Sequence, residues 1–318
     1  MPVSGSATPR TRLLTAARYG LLALVLVAVL AALARNWDQV SAELARLGWP
    51  VLGLSLLLAT LAPVLTLLGW RRILAELGSD LHRAPAASVF FVGQLGKYVP
   101  GSVWSVLAQA EMGVRLGVPR RRMAVTSLVS IVLAALCGGL VGVVALPRLL
   151  SRGHTGATGW VLAGALALGA VLLWPPLLNG LVERGLRLLR RPPLEHGLGA
   201  GAVLETVGWF TAAWLCAGVG VAVLVHELAP AASLLDLVVV GVCGFALASA
   251  VGQVSVVLPA GLGVRDGVLA LLLVTVMPAS AAAAVVVVAR FLTVVADLVV
   301  AGGGWAWGRR HHLLGSGR

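Results

Sequence analysis

Charged residues lie inside the apolar runs of this chain, where an isolated charge is costly. Lys97, the only lysine, sits in GQLGKYVPGSVW, and Arg265 and Asp266 sit in LPAGLGVRDG. Arg290 sits in AVVVVARFLTVV, and Asp297 follows two helical turns later on the same helix face. An arginine at mid-bilayer costs about 3 kcal/mol on insertion scales, so such a residue faces a partner or a watery cavity. Cations held in this way could bind an anion such as a phosphate group.

The apolar runs are broken at the same two places. The first break, Pro100-Gly101, follows the lysine, and the second, with Pro259, Gly261 and Gly263, precedes the arginine. Proline removes a backbone donor and glycine tolerates unusual angles, so both breaks favour interrupted helices. Open backbone at membrane depth must be buried in protein or line a wet cavity. One interrupted segment in each half of the chain predicts a transport site whose helix N-termini favour an anion.

Each of these residues also has a purely structural interpretation, which the sequence leaves open. Lys97 could extend to the cytoplasmic interface from a shallow hairpin, because long cationic side chains do this readily. Arg265 and Asp266 could form an interfacial pair at a turn. Arg290 and Asp297 could pair only with each other and hold helices together.

The composition decides which solvent surrounds the chain. Of its 318 residues 59% are hydrophobic and 11% are charged, and the mean hydropathy is +0.98. Since a helix needs about 20 apolar residues to cross a bilayer, we predict an all-α, polytopic transmembrane helical bundle with about eight spans. The predicted spans are Tyr19–Ala34, Val51–Trp70, Ala124–Leu146, Trp160–Leu178, Val203–Val225, Asp236–Leu258, Val264–Val276 and Ala281–Ala301. The segment Val264–Val276 is short for a full crossing and could instead be a second re-entrant element.

Arginine placement predicts the topology in the cytoplasmic membrane of a bacterium. Lys and Arg are retained on the cytoplasmic side, so the net charge of +12 needs no nucleic-acid partner. The N-terminus is then cytoplasmic, and the arginine-rich connections on both sides of Ala86–Ala108 make that segment a re-entrant helical hairpin. We divide the chain into a cytoplasmic tail (1–18), a transmembrane domain (19–303) and a basic cytoplasmic tail (304–318).

No enzymatic constellation is recognisable in the sequence. There is no nucleophile elbow, P-loop, dinucleotide fingerprint or paired-carboxylate site, and the six histidines show no metal-ligand spacing. We therefore expect neither a metal nor a cofactor, and no catalytic residues. An enzyme acting on lipid phosphates would need an acid–base pair, for which Asp266 and Glu205 are isolated candidates.

The stretches GQLGKYVPGSVW, RLGVPRRR and LPAGLGVRDG, followed by an arginine in the last span, resemble the flippase-like membrane family. This family includes the membrane half of bacterial lysylphosphatidylglycerol synthases, and the resemblance covers nearly the whole chain. It implies a multi-helix membrane domain associated with moving charged or glycosylated lipids between leaflets. The chain departs mildly from the motif, with Asp266 where Glu is common and Ala260 where Gly is frequent. No synthase domain follows Arg318, so we expect no aminoacyl transfer by this chain alone.

The cations, the breaks and the family motif together predict a lipid-handling site. The predicted substrate-binding residues are Gln94, Lys97, Tyr98, Pro100, Gly101, Pro259, Gly261, Gly263, Arg265, Asp266 and Arg290. The leading hypothesis is a lipid translocase for an anionic or glycosylated lipid, either a membrane phospholipid or a lipid-linked glycan. The alternative is a non-transporting scaffold that recruits a separate lipid-modifying enzyme or glycosyltransferase.

Overall fold

The structure, a computed structural model, describes residues 37–98, 103–150, 164, 167–169, 171–188, 196–254 and 263–311. All regular elements within these ranges are helices, which confirms the predicted all-α class. In chain order the helices are α1 Trp37–Ala45, α2 Trp49–Glu76, α3 Arg83–Gln94, α4 Trp104–Val114, α5 Arg120–Gly142, α6 Pro175–Leu188, α7 Ala200–Leu228, α8 Gly244–Val254, α9 Val264–Leu273 and α10 Ala279–Arg310.

Short 3₁₀-helical or π-helical segments adjoin three of these helices. A 3₁₀ turn, Leu95–Tyr98, continues α3, and a second one, Val143–Ala145, continues α5 into the short helix Leu146–Leu150. The residues Leu234–Asp236 and a π-helical stretch, Leu237–Cys243, lead into α8. Ser233 caps this start, because its hydroxyl accepts the Asp236 amide while the Asp236 carboxylate accepts the Ser233 amide.

Five of the helices are long and apolar enough to cross a membrane, judged by length and composition, which confirms a polytopic bundle. They are Trp49–Glu76, Arg120–Leu149, Ala200–Leu228, Leu234–Gln253 and Ala279–Arg310. The first predicted span, 19–34, lies outside the described residues, as do residues 160–163, 165, 166 and 170 of the run at 160–178. The described end of that run belongs to α6, which begins at Pro175. α10 runs on to Arg310, past the predicted domain boundary at 303.

Helices α3 and α4 form the helical hairpin expected at 86–108. A Cβ added at Gly96 would lie 2.5 Å from the Ser105 amide nitrogen, and one added at Gly93 would overlap the Gln109 side chain. Gly96 thus faces Ser105, and the earlier Gly93 faces the later Gln109, so the two helices run antiparallel. Their close approach requires glycine at both positions, because a Cβ would overlap the other helix. The predicted bend at Pro100 and Gly101 lies outside the described residues.

Both ends of this hairpin lie at the same end of the bundle. Arg122, at the start of α5, donates to the Gly78 carbonyl at 2.8 Å and to the Ser79 hydroxyl at 2.7 Å, in the connection before α3. Arg120 donates to Glu111 near the end of α4. We call this end of the bundle, with the end of α2, the start of α5 and the end of α10, the arginine-rich end.

The segment predicted as a span at 264–276 is a half-length helix. α9 has 10 residues, about 15 Å at 1.5 Å per residue, whereas the hydrocarbon core is about 30 Å thick. The expectation of a full crossing by this segment alone is therefore wrong. α8 and α9 instead pack together as a second hairpin. The residues that connect them, 255–262, lie outside the described residues and include Pro259 and Gly261.

The second hairpin enters from the opposite end of the bundle. Leu272 and Leu273, at the end of α9, pack in one apolar cluster with Leu224 of α7, Val240 before α8 and Ala281 of α10. These residues lie where α7 ends, where the α8 segment starts and where α10 starts. We call this the far end. The two hairpins thus approach the middle of the bundle from opposite ends, and their tips flank α10.

Small residues let the long helices approach closely, as membrane helices require because lipid supplies no hydrophobic force between them. A Cβ at Gly142 would lie 2.4 Å from the backbone nitrogen of Leu247. One at Gly218 would lie 2.8 Å from the backbone of Val242. Gly139, on the same helix as Gly142, has nothing within 4 Å of such an atom.

This difference predicts opposite responses of two glycines on one helix. Gly142→Ala forces α5 away from the backbone before α8 and should lower the unfolding free energy by about 1–3 kcal/mol. Gly139→Ala meets open space and should leave stability unchanged, or raise it by up to about 1 kcal/mol through helix propensity. Urea unfolding of the detergent-solubilised variants measures both values. Equal losses in the two variants would contradict this packing.

The first hairpin also predicts a labelling pattern. Single cysteines at Asp80 and Arg115, which flank the hairpin, should react with a membrane-impermeant maleimide from the same side of sealed vesicles. A cysteine at Ala231, an exposed position at the far end, should react only from the other side. If Asp80→Cys and Arg115→Cys reacted from opposite sides of the vesicle membrane, the segment between them would cross the membrane and would not be a re-entrant hairpin.

Candidate functional site

A cavity of about 330 Å³ lies between the helices in the middle of the bundle. Its walls come from α2, α5, α7, α8, the first turn of α9, α10 and the first hairpin. On α2 the lining residues recur every three or four positions, so a single helix face borders the cavity. The lining residues of α2 are Ser55, Ala59, Ala62, Pro63, Thr66 and Trp70. The volume falls within the usual range of ligand pockets, about 300–1,000 Å³.

The charged residues that line this cavity are mostly cations. Among the described residues, Lys97, Arg265 and Arg290 line it together with a single carboxylate, Asp297. The three cations come from three separate elements: the 3₁₀ turn after α3, the first turn of α9, and α10. Residues almost 200 positions apart in the chain are thus collected around one space, and the lining carries an excess of positive charge.

Asp297 receives two bonds from the tip of the first hairpin. The Lys97 ammonium lies 2.7 Å from its Oδ2 atom, and the Tyr98 hydroxyl donates to the same atom at 2.5 Å. The Asp297 side chain is 8% exposed, whereas that of Lys97 is 34% exposed and borders the cavity. A buried carboxylate needs such partners, because an unpaired charge away from water is very costly.

These contacts correct two of the structural interpretations. Asp297 binds the hairpin tip, so it is not reserved for Arg290 as a pair within one helix. Lys97 extends toward the middle of α10 rather than toward the interface, so it does not act as an interfacial anchor. Its charge is matched inside the bundle.

The first turn of α9 holds the second group of charges. Gly263 has a φ of 84°, a left-handed conformation that glycine adopts without strain, and its amide donates to the Asp266 carboxylate at 3.3 Å. The carboxylate thereby caps the helix N-terminus, where negative charge is favourable. It also lies 4.0 Å from Arg290 of α10, so Asp266 connects the two elements.

Arg265 extends from this turn into the bundle, not to an interface. Its guanidinium carbon lies 4.7 Å from the centre of the Phe245 ring of α8, within the range of a cation–π contact. Its Nη2 atom is 3.5 Å from the hydroxyl of Thr293 on α10. The interfacial Arg265–Asp266 pair considered from the sequence is therefore replaced by two different sets of contacts.

The structure brings together most of the predicted residues that it describes. Gln94, Lys97, Tyr98, Arg265 and Arg290 line the cavity. Gly263 and Asp266 lie beside it at the start of α9 and shape that turn. The remaining four predicted residues, Pro100, Gly101, Pro259 and Gly261, lie outside the described residues.

Sequence reasoning missed the uncharged polar part of the lining. The missed residues are Ser55, Thr66, Ser105, Gln109, Ser127, Ser130, Ser249, Gln253 and Thr293. A signal was present, because each is a polar residue within an apolar stretch, and Ser127 and Ser130 recur at helical spacing on α5. Asp297 was noted as a partner for Arg290 but was not included among the site residues.

The Lys97–Asp297 contact predicts measurable coupling between two residues distant in sequence. Lys97→Met and Asp297→Asn should each destabilise the protein, because each leaves a charge without its partner. The double variant should recover about 0.5–3 kcal/mol relative to the sum of the two losses. The control is the exposed pair Arg46–Glu43, whose coupling should remain below about 1 kcal/mol. Additive losses at Lys97 and Asp297 would contradict the contact.

Comparison with known protein families agrees with this architecture. The family model described as "Lysylphosphatidylglycerol synthase TM region" matches residues 20–301, a range that includes both hairpins and every charged residue of the cavity lining. No curated protein matches the chain. The resemblance drawn from the two broken motifs is confirmed, and the match places the chain among membrane proteins related to lipid handling. With most of its length matched, this chain belongs to the family of the lysylphosphatidylglycerol synthase transmembrane region.

Proposed function

We propose that the protein binds an anionic lipid headgroup in its central cavity and moves the lipid between leaflets. The observation that carries this proposal is the cavity lining, in which Lys97, Arg265 and Arg290 are opposed by the single carboxylate of Asp297 among the described residues. A phosphate would be attracted by these charges, and arginine side chains suit phosphate because their donors match its oxygens.

The depth of the charges supports transport rather than surface binding. α10 has 32 residues, and Asp297 lies about 27 Å from its first residue and about 20 Å from its last at 1.5 Å per residue. The cluster thus lies near the middle of a helix that is longer than the hydrocarbon core is thick. A headgroup crossing a bilayer needs polar partners at this depth, and intramembrane charges typically mark such a pathway.

The two hairpins supply parts that could open the cavity alternately. Each ends near the charges, one coming from the arginine-rich end and one from the far end. Broken helices of this kind line the substrate sites of many transporters, where one group of helices rocks against another. In this proposal, tilting of one hairpin admits the headgroup from its own side, while the other hairpin keeps the opposite side closed.

We further propose that the arginine-rich end faces the cytoplasm and that the protein resides in the cytoplasmic membrane. The support is the retention of arginines on the cytoplasmic side of membrane proteins. At this end, Arg72 lies 2.8 Å from Glu76 and 2.9 Å from Glu205, so part of the charge also connects α2 to α7.

A scaffold that recruits another enzyme is the second candidate, and α6 favours it. This helix buries Leu178 and Leu186 against the bundle while Arg184 and Arg187 are exposed. Leu188, at its end, is 85% exposed. An amphipathic helix with exposed arginines beside a membrane can contact anionic lipid or a partner protein.

Transport through the cavity predicts a strong effect of two cations. The double variant Lys97→Ala/Arg265→Ala should translocate fluorescent phosphatidylglycerol in reconstituted liposomes at least about tenfold more slowly. A charged hydrogen-bond partner contributes about 1.5–3 kcal/mol, and each 1.4 kcal/mol is a factor of ten. Dithionite quenching of the outer leaflet measures the rate.

The matched control removes two arginines outside the cavity. Arg184→Ala/Arg187→Ala loses the same number of positive charges on α6 and should translocate at the rate of the unaltered protein. Unchanged translocation by the cavity variant would end the transport proposal. Absence of translocation by the unaltered protein, with a retained partner enzyme, would favour the scaffold.

A further inference from the structure

The cavity carries a band of uncharged polar side chains along the first hairpin and the facing part of α5. We call this band the polar shelf. Its members come from the first hairpin and from α5: Gln94, Ser105, Gln109, Ser127 and Ser130. Ser127 and Ser130 lie about 10 and 15 Å along α5 from its first residue, Arg120, at 1.5 Å per residue. Ser105 lies beside the hairpin tip, and Ser127, which contacts Gln109 farther along α4, lies nearer the arginine-rich end.

The side chains of the polar shelf are mostly buried and do not belong to the outer surface of the protein. Ser105, Gln109, Ser127 and Ser130 are all at most 7% exposed, although they border the cavity. The Ser127 hydroxyl lies 2.6 Å from Gln109 Oε1 and so joins α5 to α4. The close approach at Gly96 holds Ser105 directly against the hairpin tip.

Several shelf groups retain hydrogen-bonding capacity toward the cavity. Because Gln109 accepts the Ser127 hydroxyl at its oxygen, its amide nitrogen has two donors left for other partners. The side chains of Gln94 and Ser105 make no hydrogen bond to any other residue that the structure describes. Buried polar groups are normally bonded, so a ligand with hydroxyl groups would complete this shelf.

Most of the other residues that line the cavity are apolar. Beyond the cations, toward the far end, α2 and α7 contribute apolar lining: Ala59, Ala62, Ala217, Val221 and Leu224. Leu224 lies only four residues before the end of α7 at Leu228. Apolar lining nearer the arginine-rich end comes from Trp70, Phe90, Phe91 and Phe210. The cations and the polar shelf thus lie within a mostly apolar cavity.

A positively charged headgroup does not fit this lining. The shelf contains no carboxylate, and the carboxylate that the described cavity lining does contain, Asp297, is bound by Lys97 and Tyr98. An ammonium placed on the shelf would find amides and hydroxyls but no carboxylate, and it would be repelled by the nearby cations.

We propose that the polar shelf is a subsite for a neutral polyhydroxyl group attached to the lipid phosphate, such as glycerol, inositol or a sugar. This inference rests on the proposed binding of a lipid phosphate by the cavity cations. It assigns the substrate class as a phosphate diester with a neutral polyol, in preference to a bare phosphate or a cationic aminoacyl headgroup.

Binding of defined lipids to the full chain in nanodiscs tests this subsite. Phosphatidylglycerol and phosphatidylinositol should bind at least about tenfold more tightly than phosphatidic acid, which has no polyol, and than lysylphosphatidylglycerol. A polyprenyl phosphate with and without its sugar, measured in the same way, distinguishes a lipid-linked glycan from a phospholipid as the source of the polyol.

The decisive variant is Gln109→Leu/Ser127→Ala, which removes both partners of one hydrogen bond and so leaves no new unpaired group. It should lose the preference for the polyol while it still binds phosphatidic acid. The matched control is Thr60→Val, whose hydroxyl bonds within α2 and does not line the cavity, and which should retain the preference. Gln94→Glu, which adds a carboxylate to the shelf, should shift binding toward lysylphosphatidylglycerol.

Each outcome decides between the two proposals. An unchanged ratio of phosphatidylglycerol to phosphatidic acid in the shelf variant and in Gln94→Glu would overturn the subsite and leave phosphate binding intact. Equal or tighter binding of lysylphosphatidylglycerol by the unaltered protein would also overturn it. Failure of every anionic lipid to bind would refute the proposed function itself. If the double variant does not fold, Gln94→Leu makes the same test.

Discussion

The bond between the first hairpin tip and Asp297 is the interaction on which the central architecture depends. A carboxylate near the middle of a membrane helix requires partners, since lipid offers it none. Lys97 and Tyr98 supply them from the tip of a hairpin that ends at the same depth. The requirement to match this charge therefore holds the described end of the hairpin, Lys97 and Tyr98, against the middle of α10.

The same constraint accounts for the second hairpin. α9 is only 10 residues long, and its first turn ends at the level of α10 where Arg290 and Thr293 lie. Arg265 reaches the Phe245 ring and Asp266 approaches Arg290, so the charges of the two breaks are arranged around one helix. Asp266 and Arg290 thus form an ion pair between the second break and α10, while Arg265 and Arg290 both border the shared cavity.

Family membership and the cavity carry different kinds of information about function. The matched family is named for lysylphosphatidylglycerol synthases, and the match concerns their membrane region. What this chain binds depends on the side chains that face the cavity. Those side chains combine cations with neutral amides and hydroxyls, a combination suited to a phosphate and a polyol.

The sequence by itself determined the all-α membrane class, most spans and the charged residues at the two breaks, because long apolar runs and isolated charges are local features. It did not determine that Asp297 pairs with Lys97, that 264–276 is a half-length helix, or that Ser127 faces Gln109. Those depend on which helix faces meet, and apolar membrane helices present similar hydrophobicity all around. Only close packing at residues such as Gly96 and Gly142 selects the neighbours and so decides which polar groups share the cavity.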